Sequence, residues 1–211
     1  MPNAWLEIPL DDYEAHMRSE AVQQLDALSE LFRQVLQFCK PESVAILGIA
    51  GGNGLEHVDP AITRRILGLD INPTYLEAVR QRYIGLRGLE LCCVDLTDRL
   101  IGLAPVELVH AALLFEHTGL GPCLRNALSL VSAGGRFSVI LQLSSPASEE
   151  VTATPFQAIK MLRSSFHLID PAYISERVEQ SGFQPLKTWQ HPLPSGKAFW
   201  TGIWKRSGSR G

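Results

Sequence analysis

Five short apolar segments alternate with turn and helix signals between residues 43 and 142, and this alternation restricts the fold more than any other feature of the chain. They are "SVAILGI" (43–49), "RILGLD" (65–70), "LELCCVD" (89–95), "ELVHAALLF" (107–115) and "RFSVILQL" (136–143). Together they are apolar on both faces, as strands are in a parallel sheet covered by helices on each side.

The signals between them are specific. A cluster with glycine at 48, 51, 52 and 54 follows the first strand and leads into a short helix interrupted at Pro60. Asn72-Pro73 reads as an N-cap with proline at the first helical position, and Leu76, Val79 and Tyr83 give that helix a buried stripe. A further helix near 121–131 carries Leu124, Leu128 and Val131, and "SAGG" (132–135) turns into the fifth strand. Ahead of the sheet, Asp11 and Glu14 have the spacing of a capping box. Apolar residues from Val22 to Leu36 then recur at helical spacing until Pro41 closes the segment.

Beyond Leu143 the character changes. "SSPASEEVTATP" is polar and interrupted by proline, so residues 144–170 are expected to form a lid. "PAYISERVEQSGF" reads as a helix ending at Gly182, and "FQPLKTWQHPLPSGKAFWTGIWK" as two strands joined by "PLPSG". No repeat and no second domain are evident. The expectation is one domain, with residues 1–40 as a helical cap and 43–142 as the ligand-binding core.

The chain has 211 residues, enough for a sizeable core, and its 45% hydrophobic composition is that of an ordinary globular protein. A net charge of -3 gives no general attraction to nucleic acid or anionic membranes. No apolar run approaches the roughly 18 residues that span a bilayer. The four cysteines have neither zinc nor disulfide spacing, which leaves the cytoplasm as the expected compartment.

Ligands of open α/β sheets bind beyond the carboxyl ends of the strands. Asp70 ends the second strand, 16 residues after Gly54, and Asp95 ends the third. A carboxylate at the first position can accept from a ribose diol, and one at the second from an exocyclic amine such as adenine N6. The G-x-G-x-x-G dinucleotide pattern would need glycine at 57, where the chain has His57. A Tyr-x-x-x-Lys pair is also absent, which speaks against a nicotinamide-dependent oxidoreductase.

"VAILGIAGGNG", "ILGLDINPTYLEAV", "LCCVDL", "ELVHAALLFEH" and "LSLVSAGGRFSVIL", in that order, resemble the motif series of class I S-adenosylmethionine-dependent methyltransferases. The resemblance implies an α/β fold. Its core is a doubly wound, mostly parallel seven-stranded sheet with a C-terminal antiparallel strand pair and an N-terminal helical extension. It implies S-adenosyl-L-methionine as cofactor. The turn Ala50–Gly54, with Gly51 and Asn53 in it, would pass under its methionine part, and Gly48 and Ile49 before it would also border the cofactor. Asp70 would hold the ribose, Ile71 the adenine face, Asp95 and Leu96 the adenine edge, and Ala111 the amino-acid end. The family usually has an acid at the place of Gly48 and glycine at that of Ala50. Glu56 or a residue of the first helix is the candidate replacement for the acid.

In this fold an N-terminal helix often closes over the cofactor, which selects Tyr13 as a lid contact. Glu116 and His117 follow the fourth strand, where acceptor-facing groups sit, and are the expected catalytic residues. Gln142 and Lys197 could also face an acceptor. The motifs of nucleobase amino-methyltransferases are absent, and Pro122-Cys123 lies too far past the strand to be an RNA cytosine nucleophile. The acceptor is therefore expected to be a small molecule, with no nucleic acid, membrane or metal at the site. Binding of the cofactor without catalysis is the first alternative, and a nucleotide-dependent oxidoreductase the second.

Overall fold

The computed structural model describes residues 3–98, 102–145 and 149–208. A seven-stranded sheet runs through it in the order β3-β2-β1-β4-β5-β7-β6. The strands are β1 (Ser43–Leu47), β2 (Arg65–Asp70), β3 (Leu89–Cys93), β4 (Val106–Ala112), β5 (Val131–Gln142), β6 (Phe183–Pro192) and β7 (Ala198–Arg206). The first five pair in parallel, and β7 is antiparallel to both β5 and β6. The order reverses at β1, between β2 and β4, so the carboxyl end of β1 is the switch point.

Alternate residues of the central strands enter different layers. Val44, Ile46 and Ile66 pack with helices α2 (Leu25–Cys39) and α3 (Pro73–Arg82). Ala45, Leu47 and Leu67 pack with α5 (Pro122–Ser129) and α6 (Pro171–Gln180). The cap read from Asn72 is formed, its side chain accepting from the amides of Thr74 and Tyr75. Asp170 caps α6 in the same way.

Several local expectations are corrected. The N-terminal extension is two helices, α1 (Leu10–Arg18) and α2, separated by a turn in which Gln23 takes φ 52°. The capping box does not form: Pro9 is the N-cap of α1, and Glu14 is drawn to Arg82 instead. "SAGG" is no turn between elements but a bulge inside β5, where the partner register jumps from Val106–Val131 to Leu108–Arg136. β4 stops at Ala112, because Leu113 adopts φ 51° and Phe115–Thr118 form the short helix α4.

Candidate functional site

The turn after β1 is held by backbone and side chain together. Gly48 and Ile49 donate their amides to the Leu69 carbonyl at 2.9 and 3.0 Å. Gly48, Ala50, Gly52 and Gly54 all have positive φ, and Ala50 at φ 46° bears a Cβ in a region that favours glycine. Asp70 explains how that conformation is held. Its Oδ2 accepts from the Ala50 amide and its Oδ1 from the Asn72 amide, each at 2.9 Å. Burial raises its pKa, and these backbone donors oppose the rise. With about four acceptor sites, the carboxylate keeps capacity beyond its backbone donors.

Farther along the turn, Gly51 and Gly52 give their carbonyls to Arg82 at 3.1 Å and the Tyr83 hydroxyl at 2.9 Å. Asn53 donates to the Leu25 carbonyl at 2.8 Å, and Gly54 lies against the Phe32 ring. Glu56 is committed to the loop itself, accepting from the Gly54 amide and the Ser29 hydroxyl.

Tyr13 borders three cavities, of which the first and third are lined by this turn. The first, about 610 Å³, is bordered by Gly48, Ala50, Asp70, Ile71, Asp95 and Leu96. Asp95 Oδ1 accepts from the Thr97 amide and hydroxyl at 2.8 and 2.7 Å. The third, about 590 Å³, is bordered by Glu14, Gly48, Ile49, Ala50, Gly51 and Asn53. The second, about 450 Å³, lies on the other side of Tyr13 and is bordered by His16, Gln24, His117, Gln142, Phe166 and Lys197.

The N-terminal segment roofs the first two cavities. The Trp5 carbonyl accepts from Asn72 Nδ2 and the Ile8 carbonyl from the Tyr75 hydroxyl, each at 2.8 Å. Trp5 meets Tyr13 edge-on at 5.3 Å and His117 at 4.9 Å. Ile159 and Leu162, in a 3-10 helix Gln157–Ser164, pack under this segment against Ile8. Within the expected lid, residues 146–148 lie outside those described; Val151, Thr152, Leu162 and Phe166 border the second cavity.

His117 borders both the first and second cavities and stands between Trp5 and Phe166. Its buried Nδ1 has no hydrogen-bond partner among the described residues. Burial, with the charge of His167, lowers its pKa to about 4, so the imidazole is neutral at pH 7. Glu116 is separate from it. Its side chain points beneath β5, Oε1 accepting from the Gln142 amide at 2.9 Å, and it borders none of the three cavities. Burial pushes its pKa up to about 7 against that bond. Ala111 is also interior, packed in the sheet, while Ala112 and Leu113 border the cavities.

Sequence reasoning missed Trp5, Glu14, Leu113 and Leu114 as site residues. Trp5, between Ala4 and Leu6 in a stretch without periodicity, carried a weak signal; Glu14 was covered only by the expectation of an acid from the first helix, and Leu113 and Leu114 carried none. Of the remaining histidines, His57 bonds Ser29 at 2.9 Å and His110 bonds Ser138 at 2.7 Å. Among the described residues, no cluster of three His, Cys, Asp or Glu could hold a metal ion, and no helix is long and apolar enough to cross a membrane.

No sequence family and no curated protein matches the chain. Solved structures do. The N-methyltransferase NodS from Bradyrhizobium japonicum WM9, in complex with S-adenosyl-L-homocysteine, superposes with a TM-score of 0.65 at 13% identity, covering 87% of each chain. Magnesium protoporphyrin IX methyltransferase ChlM from Synechocystis PCC 6803, with the same ligand bound, gives 0.62 at 15% identity over 88% of this chain and 82% of that one. The [4+2]-cyclase SpnF gives 0.67 at 12% identity over 89% and 83%. With its reversal at β1, its antiparallel β7 and these neighbours, the chain has the fold of the class I S-adenosylmethionine-dependent methyltransferases.

Proposed function

We propose that the chain binds S-adenosylmethionine across the first and third cavities and methylates a small molecule held in the second. The observation that carries this reading is Asp70: one buried carboxylate fixes the Ala50 turn and borders the first cavity, with Asp95, two residues past the end of β3, bordering it too.

Asp70, through its remaining lone pairs, accepts from the ribose hydroxyls, and Asp95 accepts from the adenine amine. The positive-φ turn presents bare backbone to the methionine part. Glu14, from α1, takes the place of the acid missing at Gly48 and accepts from the ammonium end, since it borders the third cavity beside Gly51. NodS and ChlM, with S-adenosyl-L-homocysteine bound in their crystals, support this choice of ligand.

S-adenosylmethionine supplies an electrophilic methyl group, so the chain's own work is positioning, desolvation and proton removal. Trp5, Tyr13 and Phe166 exclude water. His117, neutral and placed where the first two cavities meet, accepts the proton an acceptor must lose. Glu116 has no part in this step.

Binding without transfer is the second reading. It is favoured by one observation: of the two residues after β4 expected to be catalytic, only His117 borders a cavity. Mass spectrometry of the denatured, purified protein tests the common claim. Co-purifying S-adenosylmethionine or S-adenosylhomocysteine is the expected result. A nicotinamide nucleotide in its place would contradict it.

A further inference from the structure

Lys197 stands in the turn before β7 and is only 3% exposed. Its Nζ donates to the Glu150 carbonyl at 2.8 Å. An ammonium has three donors, and among the described residues the other two find no partner and no ion pair. Lysine is almost never this buried unless it is paired. The cavity it borders also contains Thr152, whose buried hydroxyl has no partner among the described residues.

Of the other polar groups around this space, the Glu150 carboxylate is exposed to solvent, and the rest are spent or uncharged. Gln24 bonds Gln142 at 2.8 Å, and Gln142 bonds the Glu150 carbonyl at 2.9 Å. His16 bonds the Thr154 hydroxyl at 2.9 Å. Burial lowers both His16 and His117 to about 4 and raises Tyr13, so all three are neutral at pH 7. Burial lowers Lys197 to about 8, opposed by the exposed carboxylates of Glu149 and Glu150, and it stays mostly charged at pH 7.

We infer that the second cavity takes a small acceptor carrying a carboxylate, anchored by the Lys197 ammonium and the Thr152 hydroxyl, with its other end against Trp5, Tyr13 and His117. This rests on the methyltransfer reading and adds the class of acceptor. A single buried cation balances a single negative charge; a phosphate dianion would leave buried charge uncompensated. The competing account gives Lys197 only the task of holding the Glu150 carbonyl.

The test uses the full chain saturated with S-adenosylhomocysteine, with benzoate and its neutral counterpart benzamide as probes in titration calorimetry. Benzoate should bind about tenfold to a hundredfold tighter than benzamide. Lys197→Gln, which keeps a donor for the Glu150 carbonyl, should erase the difference. Should that variant not fold, the Lys197 side-chain NMR signal of the wild-type protein decides, because saturating benzoate should raise its titration midpoint.

Equal binding of the two probes, no benzoate binding, a preference surviving in the Gln variant, or an unmoved Lys197 midpoint would each overturn the inference. In all four cases intact S-adenosylhomocysteine binding leaves the methyltransferase reading standing. Loss of that binding in the wild-type protein removes the reading, and the inference with it.

Discussion

Glu14 on α1 and Arg82 on α3 form a two-point ion pair across Gly51, with Arg82 Nη2 donating to Glu14 Oε2 at 2.9 Å and Nη1 bonding the Gly51 carbonyl at 3.1 Å. A side chain at 51 would run into both of them. One acid thereby ties the N-terminal helix to the turn and stands at the third cavity.

If Glu14 accepts from the cofactor's ammonium, Glu14→Gln should weaken S-adenosylhomocysteine binding about tenfold while leaving adenosine binding unchanged. Adenosine has no amino-acid end. Stability should fall by only about 1 kcal/mol or less, as for other solvent-accessible pairs. Parallel calorimetry with both ligands decides it; equal losses for the two would make the ion pair a structural clasp only.

Glu116 carries a pH signature. Its folded pKa of about 7 exceeds the ordinary 4.5, so between these values the folded state keeps a proton that the unfolded chain has released. Stability therefore falls as pH rises through this window and levels off above it, at a cost of about 3 kcal/mol. Glu116→Gln keeps an acceptor for the Gln142 amide and removes the buried charge. Urea unfolding should show the variant about 2 kcal/mol more stable than wild type at pH 8 and within about 1 kcal/mol of it at pH 5. The variant-minus-wild-type difference cancels the opposite trend of the buried, neutral His16, His110 and His117. A pH-independent difference would mean that Glu116 is ionised in the fold.

Residues 149–165 should behave as a door. Their structure rests on one 3-10 helix, on the packing of Ile159 and Leu162 with Ile8, on bonds to the Glu150 carbonyl from Lys197 and Gln142, and on the His16–Thr154 bond. Segments with so few anchors open at low free-energy cost. Hydrogen exchange should be faster there than in β1 and β4 in the free protein, and slow when S-adenosylhomocysteine is added. Protection matching β1 without ligand would contradict a gating role.

What the sequence revealed was local, and what it concealed was tertiary. The strands, the Asn72 cap and the aspartates at strand ends follow from short patterns, and the structure places Asp70 and Asp95 at one cavity. The break between α1 and α2 carries no glycine or proline; it depends on the Ser19 hydroxyl bonding the His16 carbonyl and on Met17 and Val22 packing together. Ala111 missed the cavity by one residue because the strand ends at Ala112 and the chain turns at Leu113. Glu116 and His117 diverge because α4 starts at Phe115 and sends adjacent side chains in different directions. Trp5 joined the site through the Asn72 bond to its carbonyl and its ring contacts with Tyr13 and His117, a docking that no periodicity announces.

In the proposed complex Asp70 holds the nucleoside of S-adenosylmethionine. Titration calorimetry of S-adenosylhomocysteine into wild-type protein, Asp70→Ala and Asp95→Ala, with NADH as control ligand, tests it most directly. Wild type should bind at micromolar affinity, with Asp70→Ala about a hundredfold weaker and Asp95→Ala about tenfold weaker. The Asp70 variant should also lose about 2–4 kcal/mol of stability, because the Ala50 and Asn72 amides lose their acceptor, so binding is read below its melting temperature. Unchanged affinity in folded Asp70→Ala, or micromolar NADH binding to the wild-type protein, would contradict the account.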